Sequence, residues 1–310
     1  MASLKELSKR KEGLVGGHRA CAGCAASAAF RQILLAAGSK PTVTGICTGC
    51  MEVVTTIFPY TAWNVNLVHN AFENSAATVS GMEVAYRAMK RKGKIKDEIQ
   101  FIAFGGDGGT YDIGLQSLSG AIERRHKMLY VCYDNEAYMN TGYQRSSATP
   151  YCAHTTTSPA GTKIPGKAQK RKDLTEIIIA HDPAYAAQAT PGYYMDLIKK
   201  VEKALAADGP SFINILSPCV PGWGYPSDQT VNISKLAVET LFWPLYEWQD
   251  GKYNINMKPR EPKPLVDFLK LQARFRHLFK PGNEHLVEEF QAEVNRRWEV
   301  LLRKEQATSA

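Results

Sequence analysis

Ile99-Gln100-Phe101-Ile102-Ala103-Phe104-Gly105-Gly106-Asp107-Gly108-Gly109 reads as a buried strand running into a glycine-rich turn. A second apolar run over 128–133 leads into Asp134-Asn135-Glu136-Ala137-Tyr138-Met139-Asn140-Thr141-Gly142. Asp107 and Asn135 stand 28 positions apart, room for one helix and one strand. Both side chains therefore fall at the same edge of a parallel sheet, the edge where open α/β sheets bind ligands. A carboxylate and an amide oxygen converging there suit a hard cation such as Mg²⁺, with the backbone carbonyl of Ala137 as a third ligand and diphosphate oxygens and a water completing the shell.

Outward from these turns, strands and helices alternate. Helices are predicted over 25–37, where Phe30, Ile33 and Leu34 share helical spacing; over 73–92, basic at its C-terminal end as the helix dipole favours; and over 113–124, 173–181 and 193–207. Strands are predicted over 42–46, 99–104, 128–133, 185–190 and 211–216. This order implies an α/β fold, a mostly parallel sheet with helices on both faces. Residues 142–172 break the rhythm with Ser, Thr, Pro, Gly and Lys, and a loop of that length is often functional. After Cys219 the chain is turn-rich over 218–226 and forms a proline- and charge-rich linker over 259–264. Helices are predicted over 266–279 and 284–304. The expected organisation is a binding domain over 1–225 and a helical C-terminal extension over 226–310, packing on its own domain or on a partner subunit.

Gly106, Gly108 and Gly109 let the backbone approach a ligand closely. Their amides, beside the N-terminus of the helix over 113–124, form an anion site for a diphosphate. Neither the Gly-x-Gly-x-x-Gly pattern after a first strand nor Gly-x-x-x-x-Gly-Lys-Ser/Thr fits, so this is not a nucleotide fingerprint of either kind.

Seven cysteines in a chain expected to be cytoplasmic argue against structural disulfides and toward metal chemistry, redox chemistry or core filling. Cys21-Ala22-Gly23-Cys24 is a C-x₂-C pair, and Cys50 and Cys219 follow as single residues. Four thiolates suit zinc or an iron–sulfur cluster. One local pair with two distant single ligands fits a cluster at a junction of loops better than a zinc ribbon. Cys47 competes with Cys50 as a ligand, Cys132 reads as core, and Cys152 has no assigned role. His18 and His69 are polar candidates for the pocket.

The 310 residues are 44% hydrophobic and 22% charged, a globular profile. No apolar run approaches the ~18 residues of a membrane helix, and the stretch from Met1 to Glu6 lacks the apolar core of a secretory signal. A cytoplasmic location without a membrane partner is expected. The net charge of +8 gathers in runs over 90–96, 124–127 and 167–172. Without an aromatic-interleaved basic motif these read as solvated surface, or as a dock for an acidic electron carrier, rather than as a nucleic-acid surface.

Together the two constellations resemble the β subunit of the 2-oxoacid:ferredoxin oxidoreductases, closest to the pyruvate:ferredoxin type. The matching stretches are Gly17-His18-Arg19-Ala20-Cys21-Ala22-Gly23-Cys24, Thr48-Gly49-Cys50, Gly106-Asp107-Gly108 through Tyr111-Asp112-Ile113-Gly114, and residues 134–142 running on to Gln144-Arg145-Ser146. The resemblance covers most of residues 17–225. It implies the thiamine-diphosphate-binding fold, with the cofactor's Mg²⁺ on Asp107, Asn135 and the Ala137 carbonyl. It also implies a [4Fe-4S] cluster on Cys21, Cys24, Cys50 and Cys219. Asn140 would act beside the thiazolium and the substrate, and Thr48, Gly49, His69 and Thr141 would contact the cofactor. The glutamate that activates the aminopyrimidine would come from the partner α subunit, ferredoxin would take the electrons, and coenzyme A would capture the acyl group if the substrate is pyruvate. Tyr151-Cys152-Ala153-His154 departs from the pyruvate pattern and keeps oxalate, oxidised to two CO₂ without coenzyme A, as an alternative. A non-redox thiamine decarboxylase or synthase would leave the four cysteines idle.

Overall fold

Eight strands form one sheet in the computed structural model, which describes residues 3–309. They are β1 (Thr42–Cys47), β2 (Asn66–Asn70), β3 (Gln100–Gly106), β4 (Leu129–Asp134), β5 (Tyr185–Ala189), β6 (Ser211–Leu216), β7 (Tyr246–Gln249) and β8 (Lys252–Ile255). Their order is β2-β1-β3-β4-β6-β5-β7-β8. β1 to β6 pair in parallel, whereas β7 lies antiparallel to β5, and β8 to β7. The helices are α1 (Leu4–Leu7), α2 (Ala25–Ala37), α3 (Cys50–Thr55), α4 (Ser75–Arg91), α5 (Leu115–Glu123), α6 (Leu174–Ile179), α7 (Tyr194–Ala206), α8 (Thr230–Glu239), α9 (Leu265–Lys270) and α10 (Glu284–Thr308).

Alternation along the strands feeds two cores. Ile102, Phe104, Val131 and Tyr133 face α2 and α7, while Phe101, Ala103, Tyr130 and Cys132 face α4, α5 and α6. Buried on both faces, the parallel strands read as nearly continuous apolar runs. Helices on both faces of a mostly parallel sheet are as the sequence predicts. Residues 226–309 pack on the chain's own sheet: β7 pairs with β5, and Phe268, Phe275, Phe290 and Val294 share a core with Ala137, Met139 and Leu216.

Several elements depart from the sequence reading, the unpredicted helices α1, α3 and α8 among them. β2 was not predicted; as an edge strand it is largely exposed and lacks an apolar run. The β7–β8 hairpin closes on Asp250-Gly251, both at positive φ, a tight-turn signal that sequence reading passed over. The helix over 266–279 is broken: Gln272 turns extended and its side chain bonds the Phe268 carbonyl (2.7 Å), so α9 ends and a 3₁₀ stretch, Ala273–Phe279, follows. Ahead of α5 the turn Gly108–Ile113 is π-helical.

Candidate active site at the carboxyl ends of β1, β3 and β4

The chain crosses from β1 outward to β2, then returns on the other side of β1 to form β3 and β4. That reversal opens a crevice at the carboxyl ends of β1 and β3, where the ligand sites of such sheets lie. A cavity of about 250 Å³ occupies it, lined by Thr48, Gly49, Cys50, Gly106, Asp107, Gly108, Gly109, Asn135, Ala137, Asn140 and Thr141. All but one of the predicted cofactor contacts thus meet. The exception is His69, which lies behind Thr48 and reaches its hydroxyl at 3.2 Å. His18 is outside the cavity and accepts from the Ala20 amide.

Phe72, Tyr133, Tyr138 and Met139 also line the space. Gly108 is required by close packing, since a Cβ there would lie 2.4 Å from the Tyr138 ring. The π-helical turn, rather than the start of α5, presents the first amides after Asp107. The glycine amides expected to receive an anion thus lie in this π-helical turn, Gly108–Ile113, ahead of α5. Single π turns recur at functional sites.

Asp107 is 1% exposed and accepts from the Ser146 hydroxyl (2.5 Å) and the Asn135 amide (3.3 Å). Burial first, and then the charge of Asp134, push its carboxyl well above the usual range. One terminal atom of the Asn135 carboxamide sits 2.8 Å from both Asp107 Oδ1 and the Ala137 carbonyl oxygen. With its nitrogen inward the group donates to both. With its oxygen inward it forms oxygen contacts near the edge of a Mg²⁺ octahedron, about 3.0 Å for ligands at about 2.1 Å. The donor set therefore fits a hard cation, and a cation would also reverse the penalty on ionised Asp107.

The loop bearing Asn135 and Ala137 is held from behind by buried charges. Glu136, between them, has φ +69° and bonds Arg171 and Arg274, each at 2.6 Å. Arg171 also bonds Asp134, which accepts from Tyr111 (2.6 Å). Trp223 donates to the Asn135 carbonyl (2.8 Å), and Thr149 donates to that of Glu136 (2.6 Å). Arg274 stacks on Trp223 and Arg171 on Trp243. Asp134 and Glu136 are thus matched by two arginines, which among the described residues leaves Asp107 as the one of these three carboxylates without an ion-pair partner.

Sequence reading missed this frame. The run over 167–172 was expected on solvated surface, yet Lys167 is 1% exposed and the Arg171 side chain 6%. Lys167 ties the long loop by donating to the carbonyls of Thr149 (2.5 Å) and Ser147 (3.2 Å), and burial lowers its pKa to about 8. A long loop must satisfy its own buried carbonyls, and that need was the available signal. Tyr151-Cys152-Ala153-His154 does not line the cavity: Tyr151 bonds Glu289, Cys152 is core, and the His154 amide bonds the Arg274 carbonyl.

A second cavity, about 220 Å³, adjoins the first and is lined by Cys21, Cys24, Cys50 and Cys219. Cys50, Asn135, Met139 and Asn140 line both. The structure assembles the pair before α2, the first residue of α3 and the residue after the turn following β6 around one space. Cys47 is fully buried among Ser75 and Tyr130 and faces elsewhere. Burial pushes the Cys50 thiol to about 11 and that of Cys219 to about 12, and raises that of Cys24. Asn140 lines both cavities and so stands on the shared wall.

The crevice at this switch point lies within a thiamine-diphosphate-binding domain. Residues 47–215 match the family described as "Thiamine pyrophosphate enzyme, C-terminal TPP binding domain". The chain is 55% identical to the pyruvate synthase subunit PorB of Thermotoga maritima, covering 98% of this chain and 95% of the relative. It is 51% identical to PorB of Methanocaldococcus jannaschii (94% and 97% covered) and 46% identical to the ketoisovalerate oxidoreductase subunit VorB of Pyrococcus abyssi (94% and 93%). In fold it is similar to a 2-oxoglutarate:ferredoxin oxidoreductase from Magnetococcus marinus, with a TM-score of 0.57 at 20% identity over 71% of this chain and 70% of that one. The chain belongs to the β subunits of the 2-oxoacid:ferredoxin oxidoreductases. It is accordingly one subunit of a multi-subunit oxidoreductase. Among the described residues no helix is long and apolar enough to cross a membrane.

Proposed function

We propose that this chain is the cofactor-bearing β subunit of a pyruvate:ferredoxin oxidoreductase, holding thiamine diphosphate with Mg²⁺ in the first cavity and a [4Fe-4S] cluster in the second. One observation carries the reading: the oxygen set of Asp107, Asn135 and Ala137 and the four thiols line two cavities with a common wall. Thiamine diphosphate supplies the nucleophilic carbon and electron sink for decarboxylation, and the cluster a one-electron acceptor. The chain's own residues bind and orient. Asp107 and Asn135 fix the cation, the Gly108 and Gly109 amides receive the diphosphate, and Asn140 on the shared wall orients the substrate. Cys21, Cys24, Cys50 and Cys219 ligate the cluster, whose positive iron offsets the burial that otherwise keeps these thiols protonated. Pyruvate and coenzyme A would give acetyl-CoA, CO₂, one proton and two electrons, the electrons passing to ferredoxin.

The test is anaerobic purification with the partner subunits, assay of iron and thiamine diphosphate, and dye reduction with pyruvate plus coenzyme A, with a branched 2-oxoacid plus coenzyme A, and with oxalate alone. Reduction with pyruvate and coenzyme A is expected. Oxalate-only activity would replace the substrate assignment, and a protein without iron would remove the cluster assignment.

A further inference from the structure

We infer that the Tyr133 hydroxyl is a binding group for the diphosphate of the cofactor and not merely part of the core; this rests on the thiamine-diphosphate reading above. Tyr133 lies near the end of β4 and is 1% exposed, its ring edge-on to Phe30 at 5.4 Å. Its hydroxyl donates to no acceptor among the described residues; the Met51 amide approaches it as a donor. Other buried phenols here are paired: Tyr111 with Asp134, Tyr130 with Thr110, and Tyr185 with Glu247. A buried hydroxyl without an acceptor is costly, so a persistent one points to an acceptor that arrives with a ligand.

Its position says which ligand. Tyr133 lines the cavity of Asp107 and Asn135 and is absent from the wall of the thiol cavity. The backbone around the hydroxyl is bare: a Cβ on Gly49 would lie 2.5 Å from the oxygen, and one on Gly106 3.3 Å. Two glycines on different strand ends thus leave a gap through which the phenol reaches the cavity. A phenol is a hydrogen-bond donor at neutral pH, its ordinary pKa being about 10. An anionic phosphate oxygen is the strongest acceptor that a cavity floored by glycine amides receives.

The test is Tyr133→Phe in the whole assembly, stripped of cofactor, with binding measured by calorimetry. For thiamine diphosphate with Mg²⁺ the Kd is expected to rise roughly 10- to 100-fold, the loss of one hydrogen bond to a charged group. Binding of inorganic diphosphate with Mg²⁺ is expected to weaken in parallel. The thermal midpoint of the stripped assembly should not fall, because Phe removes a hydroxyl without an acceptor; a tyrosine serving only the core would show the reverse pattern. An unchanged Kd overturns the inference. So does weakened thiamine diphosphate binding with inorganic diphosphate unaffected, or a shifted cluster midpoint potential with both affinities intact. If the Phe variant does not assemble, 3-fluorotyrosine at position 133, a stronger donor, should bind the cofactor more tightly, and no change would refute the assignment. Failure of the wild-type assembly to bind thiamine diphosphate would instead remove the functional reading.

Discussion

Replacing Glu136 by Gln takes one negative charge out of a buried set in which Asp134 and Glu136 face Arg171 and Arg274. The side chains are sealed: Glu136 is 0% exposed, Arg274 3% and Arg171 6%. After the change Arg171 keeps Asp134 and Tyr111, but Arg274 keeps the Gln272 oxygen (2.9 Å) and the faces of Trp223 and Phe275 and no full negative charge. Removing one partner of a buried pair costs about 3–5 kcal/mol. Because Gln can still accept one bond and Arg171 remains paired, the lower end, about 3 kcal/mol, applies here. Guanidinium unfolding followed by tryptophan emission suits the question, since Trp223 and Trp243 stack on the two arginines. The double variant Glu136→Gln, Arg274→Met removes both members of the pair and should recover part of the loss, a coupling that a double-mutant cycle reads directly. Burial pulls the Glu136 carboxyl toward its neutral form, while Arg274 and Arg171 pull it toward the charged one. A loss below about 1 kcal/mol would mean that the neutral form wins, and the charge-balance argument that leaves Asp107 as the unmatched carboxylate would fall.

Other expectations follow from the same geometry. Ser146→Ala removes the hydroxyl on Asp107 Oδ2 and should weaken Mg²⁺ binding by the assembly roughly tenfold in a metal titration, the worth of one hydrogen bond to a carboxylate. Cys50→Ser should lower the iron content while Cys47→Ser leaves it unchanged; equal loss from both would refute the assignment of the thiol cavity. Burial opposes the ionisation of Glu247, but bonds from Lys203, Tyr185, Asn254 and Asn256 win and hold its carboxyl at about 2. A depressed carboxyl stabilises above its unfolded value and loses that stability as pH falls through the folded one. The β7–β8 hairpin should therefore loosen between about pH 4.5 and 2, seen as faster amide exchange, and Glu247→Gln should abolish the pH dependence.

What was legible in the sequence was what local pattern carries. Strands 99–104 and 128–133 are apolar because both their faces are buried, and Asp107 and Asn135 stand in the turns after them, so their meeting at one sheet edge could be read directly. The thiol set needed both the C-x₂-C pair and the resemblance, because Cys50 and Cys219 are brought to Cys21 and Cys24 only by the fold. The frame behind Glu136 was illegible for a different reason. Arg171 sits in a run of cations that composition assigns to solvent, and Arg274 lies in a segment read as a plain helix. Their partner is 35 residues from one and 138 from the other. β2 was missed because an edge strand can be polar, and the β7–β8 hairpin because its Asp250-Gly251 signal lay in a region read as tail.

Arg274 also sets an order of events. A ribosome completes β3, β4 and the turns that carry Asp107 and Asn135 when fewer than half of the 310 residues have been made. At that stage Glu136 has neither of its two cations, and the nascent sheet carries three carboxylates at one end with nothing opposite them. Arg171 supplies the first counter-charge and Arg274 the second, more than a hundred residues later. Until then the loop has no reason to adopt its sealed shape, so cofactor loading belongs after synthesis of the C-terminal segment, and chains cut short before Arg274 should emerge unable to mature.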